Sequence, residues 1–492
     1  MSGDLILVLD EGTTSTRAIV YAPDGAVLAT AQRELTQHYP EPGRVEHDAT
    51  EIWDRTLACA RDAIAKAGGA ERIAAIGITN QRETVVAWDR QTGEPVTRAI
   101  VWQDRRTAPL CASLREQGLE AHLQARTGLV IDPYFSGTKM RWILDNVPEA
   151  GALGDRLAFG TVESWLVWKL TGGLHVSDAS NASRTQLLAL DGADWDDELM
   201  AIFGVARAML PEVVDSLGRL GETRADLLGR AIPICGLAGD QQSACIGQHC
   251  LEHGDTKATF GTGAFVLTNR GKALPRSGHR LLGTVLYQVG GERTYALEGS
   301  IFVAGSLIKW LRDTLGIIRS AGETEALARS VSDSGGVLFL PALAGLGAPH
   351  WRPDVQGVAA GLTLGTSRAH LVRAAMESLA HQCHDLQEAF AADGAPWAKL
   401  RIDGGMSAND WIAQDLADVL DLPVERPADI ETTALGAAML AGVGAGLYAS
   451  LEEAVAMRGH IASFTPHMDA PARASRLSHW RAGLEKHLAL GC

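Results

Sequence analysis

Cysteine is scarce in this sequence, and the spacing that would make it structural is missing. The 492 residues include seven cysteines and no Cys-x-x-Cys pair, so neither a disulfide framework nor a structural zinc site is expected. No apolar run reaches the roughly 18 residues of a membrane span. The longest weakly polar segment, Ala434 to Ala449, holds four glycines and predicts a buried helix. The N-terminus lacks the basic region of a signal peptide, so we expect a cytoplasmic protein.

Positive charge is also in deficit. Acidic residues outnumber basic ones by 59 to 44, which gives a net charge of −15 and argues against nucleic acid or an anionic membrane as a partner. Several common catalytic motifs are missing, among them Walker A, His-Glu-x-x-His and Gly-x-Ser-x-Gly. His381 and His384 lie one helical turn apart but lack a third ligand, so ordinary helix histidines are favoured over a metal site.

The chain begins with a pattern typical of a β-meander. Apolar runs at residues 5–9, 18–21 and 27–31 are separated by a small, hydroxyl-rich turn at 12–16 and by Pro23-Asp24-Gly25. A helix is predicted from Asp48, where Asp48 and Glu51 fit a capping box. Strands and helices alternate after it, and a long helix is predicted over residues 367–391. This alternation favours an α/β architecture with helices covering the sheets.

A similar opening occurs near the middle of the chain. Apolar runs at residues 257–260 and 264–268 flank the turn Gly261-Thr262-Gly263. This echo predicts two similar domains, 1–250 and 251–492, that face each other across a cleft. The ordinary composition, with 46% hydrophobic residues, supplies enough apolar material for two cores.

Three clusters of small and polar residues follow predicted strands. Asp10 with the turn at 12–16 offers backbone N–H groups to a phosphate and a carboxylate to Mg²⁺, and Arg17 adds a guanidinium. The turn at 261–263 and the run 403–409 (DGGMSAN) offer similar backbone. Ordinary hairpin turns and a helix cap are the alternatives. Because two of the clusters open the two similar halves, a phosphate-binding role is favoured.

Asp240 stands between an apolar run and a predicted helix at residues 241–246. An Asp at such a junction is commonly an N-cap. The alternative is a carboxylate base directed at an acceptor hydroxyl. In phosphoryl transfer the transition state is loose, so a weak base that orients the hydroxyl is sufficient.

Ordered motifs over residues 4–465 resemble the glycerol kinases of the FGGY family of carbohydrate kinases. Both signature stretches of the wider family also match, at 134–146 and 357–377. The motifs are 9–17 (LDEGTTSTR), 77–84 (GITNQRET), 131–139 (IDPYFSGTK), 238–242 (AGDQQ), 260–263 (FGTG) and 345–349 (GLGAP).

The resemblance implies two ribonuclease-H-like domains, as in actin and hexokinase, with substrates meeting in the cleft between them. It implies ATP-dependent phosphorylation of glycerol to sn-glycerol 3-phosphate, the first step of glycerol catabolism, with ATP and Mg²⁺ as cofactors. Family members are commonly homodimers or homotetramers. Two alternatives stay open: a kinase for another polyol such as erythritol, and an actin- or chaperone-like ATPase.

The resemblance also assigns roles by position. It implies Asp240 as catalytic base and Asp10 as the carboxylate on the magnesium side, in direct contact or through water. Glycerol would contact Arg82, Glu83, Trp102, Tyr134, Asp240, Gln241 and Phe265, although Trp102 alone is equally consistent with a core residue. The nucleotide would contact Thr13, Thr14, Ser15, Arg17, Thr262, Gly305, Gly405 and Asn409.

Three positions depart from the family pattern. Glu11 replaces a usual Gln and would add negative charge beside the first phosphate turn. Asp104 replaces a usual Cys and is expected to pair with Arg105 or Arg106. Lys309 replaces a Gln on the nucleotide side. The segments that bind fructose bisphosphate and a transport regulator in enteric relatives have no match.

Overall fold

The computed structural model describes residues 3–490, and its first half builds one large sheet. Strands β1 and β5 are buried along almost their whole length, which is expected for central strands covered on both faces. The strands are β1 Leu5–Glu11, β2 Ser15–Tyr21, β3 Val27–Glu34, β4 Glu46–His47, β5 Ile73–Asn80, β6 Val86–Asp89, β7 Ala99–Ile100, β8 Leu157–Gly160, β9 Val176–Asp178, β10 Glu212–Val214, β11 Leu217–Glu222 and β12 Pro233–Gly239. The helices are α1 Ala49–Lys66, α2 Ala108–Glu116, α3 Glu120–Thr127, α4 Ser136–Asn146, α5 Pro148–Leu153, α6 Val162–Thr171, α7 Ala179–Ala182, α8 Asp197–Phe203, α9 Ala225–Leu228 and α10 Asp240–Gly247.

The second half builds another large sheet. Its strands are β13 Thr256–Phe260, β14 Ala264–Gly271, β15 Leu282–Val289, β16 Glu292–Ile301, β17 Leu338–Leu340, β18 Val358–Ala360, β19 Leu400–Asp403, β20 Val424–Pro427 and β21 Ile461–Phe464. Its helices are α11 Gly305–Asp313, α12 Glu323–Arg329, α13 Arg368–Ala392, α14 Asp410–Leu420, α15 Thr432–Gly444, α16 Leu451–Ala454 and α17 Ala470–Leu490.

The two sheets have the same strand order and the same directions. The first runs β3-β2-β1-β5-β12-β11, and the second runs β16-β14-β13-β19-β20-β21, with β15 added at its edge. In each sheet an antiparallel meander is followed by two parallel strands and a final antiparallel strand. The prediction of two ribonuclease-H-like α/β units is therefore confirmed. The division at residue 250 stays a prediction.

Helices α10 and α15 lie between the two sheets. Side chains alternate along β1: Leu5, Leu7 and Leu9 pack on the α1 side, whereas Ile6 and Val8 pack against α15. The chain of the second half thus returns to cover the first sheet. The buried helix predicted for residues 434–449 is found as α15. Within residues 3–490, no helix is long and apolar enough to cross a membrane.

The start of α1 corrects one detail of the sequence analysis. Asp48 caps the helix by accepting from the backbone N–H groups of Thr50 and Glu51. In a capping box, the Glu51 carboxylate would accept from the backbone N–H of Asp48. Here it accepts instead from the N–H and the hydroxyl of Thr36. A tertiary partner has outcompeted the local one. The predicted helix at 367–391 is found as α13, whose N-cap is Ser367.

Gly436→Ala tests how closely α10 and α15 approach each other. A Cβ at Gly436 would lie 1.8 Å from the carbonyl oxygen of Ser243 on α10, so the helices would have to separate. We expect a loss of about 1–3 kcal/mol in the free energy of unfolding, measured by urea denaturation.

The matched control is Gly151→Ala in α5, where an added Cβ meets nothing within 4 Å. That substitution is expected to leave stability unchanged or slightly raised, because alanine is the better helix former. Equal stability of the two variants would contradict the close packing of α10 on α15.

Candidate active site

The first small-residue turn connects β1 to β2 at the edge of the cleft. The N–H of Gly12 donates to the carbonyl of Ser15 at 3.0 Å and closes the turn. The Thr13 hydroxyl accepts from the indole N–H of Trp102 at 2.9 Å, and Thr14 is exposed. The Ser15 hydroxyl accepts from Gln32 on β3. Thr13 and Thr14 therefore face the cleft, whereas Ser15 is engaged with the neighbouring strand.

Asp10 and Arg17 stand opposite each other in the β1–β2 ladder. The Arg17 guanidinium donates to Asp10 Oδ2 at 2.6 Å and to Glu431 Oε2 at 2.5 Å. Burial raises the pKa of Asp10, and the pairing with Arg17 opposes that rise. Among residues 3–490, no side chain or backbone N–H donates to Asp10 Oδ1, so this oxygen is open to the cleft.

The second turn connects β13 to β14 and is tied to the start of α11. The N–H of Gly305 donates to the carbonyl of Gly261 at 2.9 Å, and the N–H of Ala304 donates to Thr262 at 3.0 Å. A Cβ at Gly305 would lie 2.5 Å from the Gly261 oxygen. Only glycine permits this approach.

A cavity of about 650 Å³ extends from both turns into the second half of the chain. Asn409 lies on its wall and also caps α14, since its Oδ1 accepts from Trp411 and Ile412. Asn409 can therefore cap α14 and line the cavity at the same time. The predicted nucleotide residues on its wall are Thr13, Thr14, Thr262, Gly305, Gly405 and Asn409, joined by the departing residue Lys309.

A smaller cavity of about 210 Å³ brings the remaining predicted residues together. It lies where the two turns meet, between the strand ends of both sheets. Asp10, Thr13, Arg17, Arg82, Glu83, Trp102, Tyr134, Asp240, Gln241, Thr262 and Phe265 line it. Ser15 lines neither cavity. All seven residues predicted for glycerol thus line one cavity together with Asp10, Thr13, Arg17 and Thr262.

Arg82 and Glu83 follow β5 and are almost fully buried. The Arg82 guanidinium donates to Tyr134 Oη at 3.3 Å, and its Nε lies 3.3 Å from Asp240 Oδ1. Glu83 has a positive φ of 62°, a backbone conformation that is costly outside glycine. Strain of this kind persists where surrounding contacts hold it, and here Arg184 binds the Glu83 carboxylate at 2.6 Å.

Three aromatic rings form the apolar wall of the small cavity. Trp102 meets Tyr134 edge-on at 5.6 Å between centroids and meets Phe265 at 6.2 Å. Its indole N–H is used by Thr13. Trp102 is therefore half-buried: it lines the small cavity and also packs against the core of the second half. Such a wall fits the carbon edge of a small polar ligand.

Asp240 is the first residue of α10, and Gly239 takes the N-cap position. About a third of its side chain, 32%, remains accessible to the cleft. Burial raises the pKa of Asp240, while Arg82 and Lys257 act to lower it. Next to it, Gln241 accepts from the Lys257 ammonium at 2.6 Å. Asp240 Oδ1 accepts from the backbone N–H of Gln241 at 2.7 Å, whereas Oδ2 receives no hydrogen bond from the described residues and can accept from a ligand.

Sequence reasoning missed three buried charged residues around this site: Arg184, Lys257 and Glu298. None of them has an accessible side chain. Glu298 stands alone in the apolar run of β16, and Lys257 stands near the start of β13. For Glu298 and Lys257 the available signal was a single charge beside apolar residues, because a buried charge requires a partner.

Two other expectations, for Asp104 and for the histidines His381 and His384, concern residues outside the two cavities. Asp104 pairs with Arg106 at 2.8 Å, as expected, and accepts from the Val45 N–H. His381 is buried, stacks on Trp480 and accepts from Arg476, so it does not share a metal with His384. His384 lies instead beside Asp385 and Glu388. Those carboxylates already bind Trp480 and Arg481.

Comparisons with known proteins agree with this geometry. The family models for the N-terminal and C-terminal domains of the FGGY family of carbohydrate kinases match residues 5–247 and 256–445. The chain is 52% identical over 489 residues to a glycerol kinase of Gluconobacter oxydans, covering 99% of this chain and 96% of that protein. It is 53% identical over 496 residues to one of Methylobacterium nodulans, covering 99% and 98%.

A solved structure of a glycerol kinase also matches this chain over its full length. The crystal structure of Plasmodium falciparum glycerol kinase with ADP superposes with a TM-score of 0.92 at 34% identity, and the match covers 99% of both chains. Identity at this level over the full length shows common descent as well as a common fold. The chain therefore belongs to the FGGY family of carbohydrate kinases.

Proposed function

We propose that this chain transfers the γ-phosphoryl group of ATP to glycerol and releases sn-glycerol 3-phosphate and ADP, which would be the first step of glycerol catabolism. The observation that carries the proposal is the small cavity of about 210 Å³, which joins two backbone phosphate turns to Arg82, Tyr134 and Asp240. The full-length relatives named above are glycerol kinases.

A small triol suits the chemistry of that cavity. Three hydroxyl groups need polar partners, and Arg82, Glu83 and Asp240 supply donors and acceptors at one side. The carbon backbone needs an apolar surface, which Trp102 and Phe265 supply. A site that hydrogen-bonds each hydroxyl discriminates strongly against analogues that lack one.

In the proposed mechanism Asp240 accepts the proton of the hydroxyl that attacks the γ-phosphorus. Arg82 lies 3.3 Å from the Asp240 carboxylate and helps to keep it ionised, although burial raises its pKa. The transition state is loose, and charge spreads over the equatorial phosphoryl oxygens. The N–H groups of residues 13–14 and 261–263 are the proposed partners of these oxygens.

The nucleotide would lie in the cavity of about 650 Å³. Its phosphates would meet Thr13, Thr14 and Thr262, and its base and ribose would lie near Gly305, Gly405 and Asn409. Gly405 supports this placement, because a Cβ there meets nothing within 4 Å and the space beside it is open. We assign Ser15 a lesser part, since its hydroxyl already binds Gln32.

Mg²⁺ fits the donors at the phosphate end of the cleft. It prefers carboxylate oxygens, water and phosphate oxygens, and it is commonly held by only one or two carboxylates. Asp10 Oδ1 faces the small cavity without a donor from the described residues, and it is the proposed ligand, directly or through water. When bound, the ion would neutralise charge on the β- and γ-phosphates.

Two features support the remaining proposals on location and assembly. All six cysteines within residues 3–490 are free and buried, as expected for a reducing compartment such as the cytoplasm. Leu362 and Leu364 are both exposed on one loop. Exposed apolar groups of this size are typical of contact surfaces, which supports a homodimer or homotetramer.

Glu11 does not act as a free charge beside the phosphate turn. It is fully buried, its carboxyl group contacts the Thr56 hydroxyl on α1, and Oε2 receives no hydrogen bond from the described residues. Burial raises the pKa of Glu11 to about 8. The group is therefore mainly neutral at pH 7 and resembles the Gln that the family usually has there.

The first prediction concerns the acceptor. ADP release, followed with a coupled assay, should be fast with glycerol and slow with erythritol, pentuloses or no acceptor. An ATPase that drives conformational change would need no small-molecule pocket. In this chain the polar residues Arg82, Glu83, Tyr134 and Asp240 converge on one cavity. Equal ADP release with and without an acceptor would reject the kinase; preference for erythritol would change only the substrate.

The second prediction concerns the base. Asp240→Asn keeps the size of the side chain and removes its ability to accept a proton. We expect kcat to fall by at least about 100-fold, the usual contribution of general base catalysis. Binding of ATP and glycerol, measured by calorimetry, should stay within a few-fold. A kcat close to that of the parent would remove Asp240 from this role.

The third prediction concerns the protonation of Glu11. Its ordinary pKa is 4.5 and its folded value is about 8, so between these pH values the folded protein binds more protons than the unfolded chain. Stability contributed by Glu11 therefore falls as pH rises from about 4.5 to about 8. Glu11→Gln cannot ionise and should escape this loss.

The measurement is the free energy of unfolding of the parent and of Glu11→Gln, obtained by urea denaturation at pH 5 and pH 8. The variant should gain relative to the parent by as much as about 4 kcal/mol between the two pH values, and glycerol phosphorylation at pH 7 should change less than threefold. A stability difference that is independent of pH would show that Glu11 is ionised throughout.

A further inference from the structure

Glu298 is a buried carboxylate that belongs to one sheet and binds two arginines of the other lobe. It lies on β16 and has no accessible surface. Its oxygens accept from Arg82 at 2.5 and 3.1 Å and from Arg184 at 2.9 Å. The pKa of Glu298 is lowered although burial alone would raise it, because the two guanidinium groups offset that effect. The carboxylate is therefore ionised in the core.

These contacts form a row of alternating charges that ends at the proposed base. Glu83 binds Arg184, Arg184 binds Glu298, and Glu298 binds Arg82. Arg82 then reaches Asp240 at 3.3 Å. An isolated charge at this depth would be very costly, so each group depends on its neighbours for its position.

The hairpin β15–β16, which carries Glu298, forms hydrogen bonds with the first lobe along its length. The N–H of Gly283 donates to Gly128 at 2.8 Å, and the N–H of Ser216 donates to Gln288 at 2.8 Å. Near the tip, Arg293 donates to the carbonyl of Leu190 at 2.9 Å. Glu298 is therefore held in a fixed place relative to Arg82 before any ligand arrives.

We propose that Glu298 is a positioning residue for glycerol: it holds the two terminal nitrogens of the Arg82 guanidinium by hydrogen bonds. Arg82 is thereby kept where it can bind a glycerol hydroxyl, instead of turning fully onto Asp240, which its Nε already approaches at 3.3 Å. This inference rests on the proposed glycerol kinase function. Glu298 itself does not line the small cavity, and its effect is exerted through Arg82. Preorganisation of this kind lowers the cost of ordering a binding group when the ligand arrives.

The test is Glu298→Gln in the full chain. The amide keeps the shape but loses the charge and one acceptor, so Arg82 is released towards Asp240. We expect the KM for glycerol to rise at least about tenfold, equivalent to about 1.4 kcal/mol of lost binding, while the KM for ATP stays within twofold. Glu298→Asp keeps the charge on a shorter stem and should give an intermediate KM.

Asp415→Asn is the matched control. Asp415 is a buried carboxylate that binds Arg476 through both oxygens at 2.6 and 2.7 Å, so its substitution removes the carboxylate partner of an arginine away from the cleft. It should lower the melting temperature as Glu298→Gln does, without changing the KM for glycerol. A parent that does not phosphorylate glycerol refutes the proposed function itself.

With an active parent, an unchanged KM for glycerol in Glu298→Gln overturns the positioning role alone. Failure of both Glu298 variants to fold, when Asp415→Asn folds, also overturns it in favour of a purely structural role. Equal rises in the KM for glycerol in Glu298→Gln and Asp415→Asn would do the same, because the effect would then be one of general destabilisation.

Discussion

The proposed glycerol end of the cleft depends on the neutralisation of one buried guanidinium, that of Arg82. Only 3% of this residue is exposed, so water cannot solvate its charge, and carboxylates must do so. They come from both lobes: Asp240 at the start of α10 and Glu298 on β16. The pairing of Arg82 therefore links the position of the proposed base to the hairpin of the opposite sheet.

The proposed phosphate end of the cleft follows from the duplicated sheets. Because β1 and β13 occupy the same place in sheets of identical order, the turns that follow them open into the same cleft. The helices α10 and α15 set the spacing between the sheets, and glycines at their crossing let the backbones touch. Two turns built from small residues can then approach one ligand from opposite sides.

The features of this fold that were predictable from the sequence are those set by residues close together in the chain. Strands, turns and the helix at 368–392 follow from periodicity and capping over a few residues. Glu83 and Asp240 were found because their motifs resemble a family pattern, but Arg184 and Glu298 belong to no motif. Their partners lie 101 to 216 residues away, so only the fold brings them together. The same reason explains Glu51, whose carboxylate binds Thr36 instead of its own helix.

Protonation is a further property that a sequence does not reveal. Glu11 reads as an added charge beside the phosphate turn, yet its burial against α1 raises its pKa to about 8. The first sheet and α1 enclose it so completely that the neutral form is favoured at pH 7. Glu11 therefore carries almost no charge at pH 7, and the turn has nearly the same electrostatics as it would with the Gln that is usual in the family.

Arg17 completes the explanation of how so acidic a chain can hold a triphosphate. As found, its guanidinium is paired with both Asp10 and Glu431, so it has little free charge to offer. Glu431 is 47% exposed and is readily solvated when released, whereas Asp10 is buried and stands opposite Arg17 in the ladder. In the proposed complex a phosphate takes the place of Glu431 while the Asp10 contact is kept. Binding then exchanges one anion for another and leaves the net charge of −15 without consequence for the site.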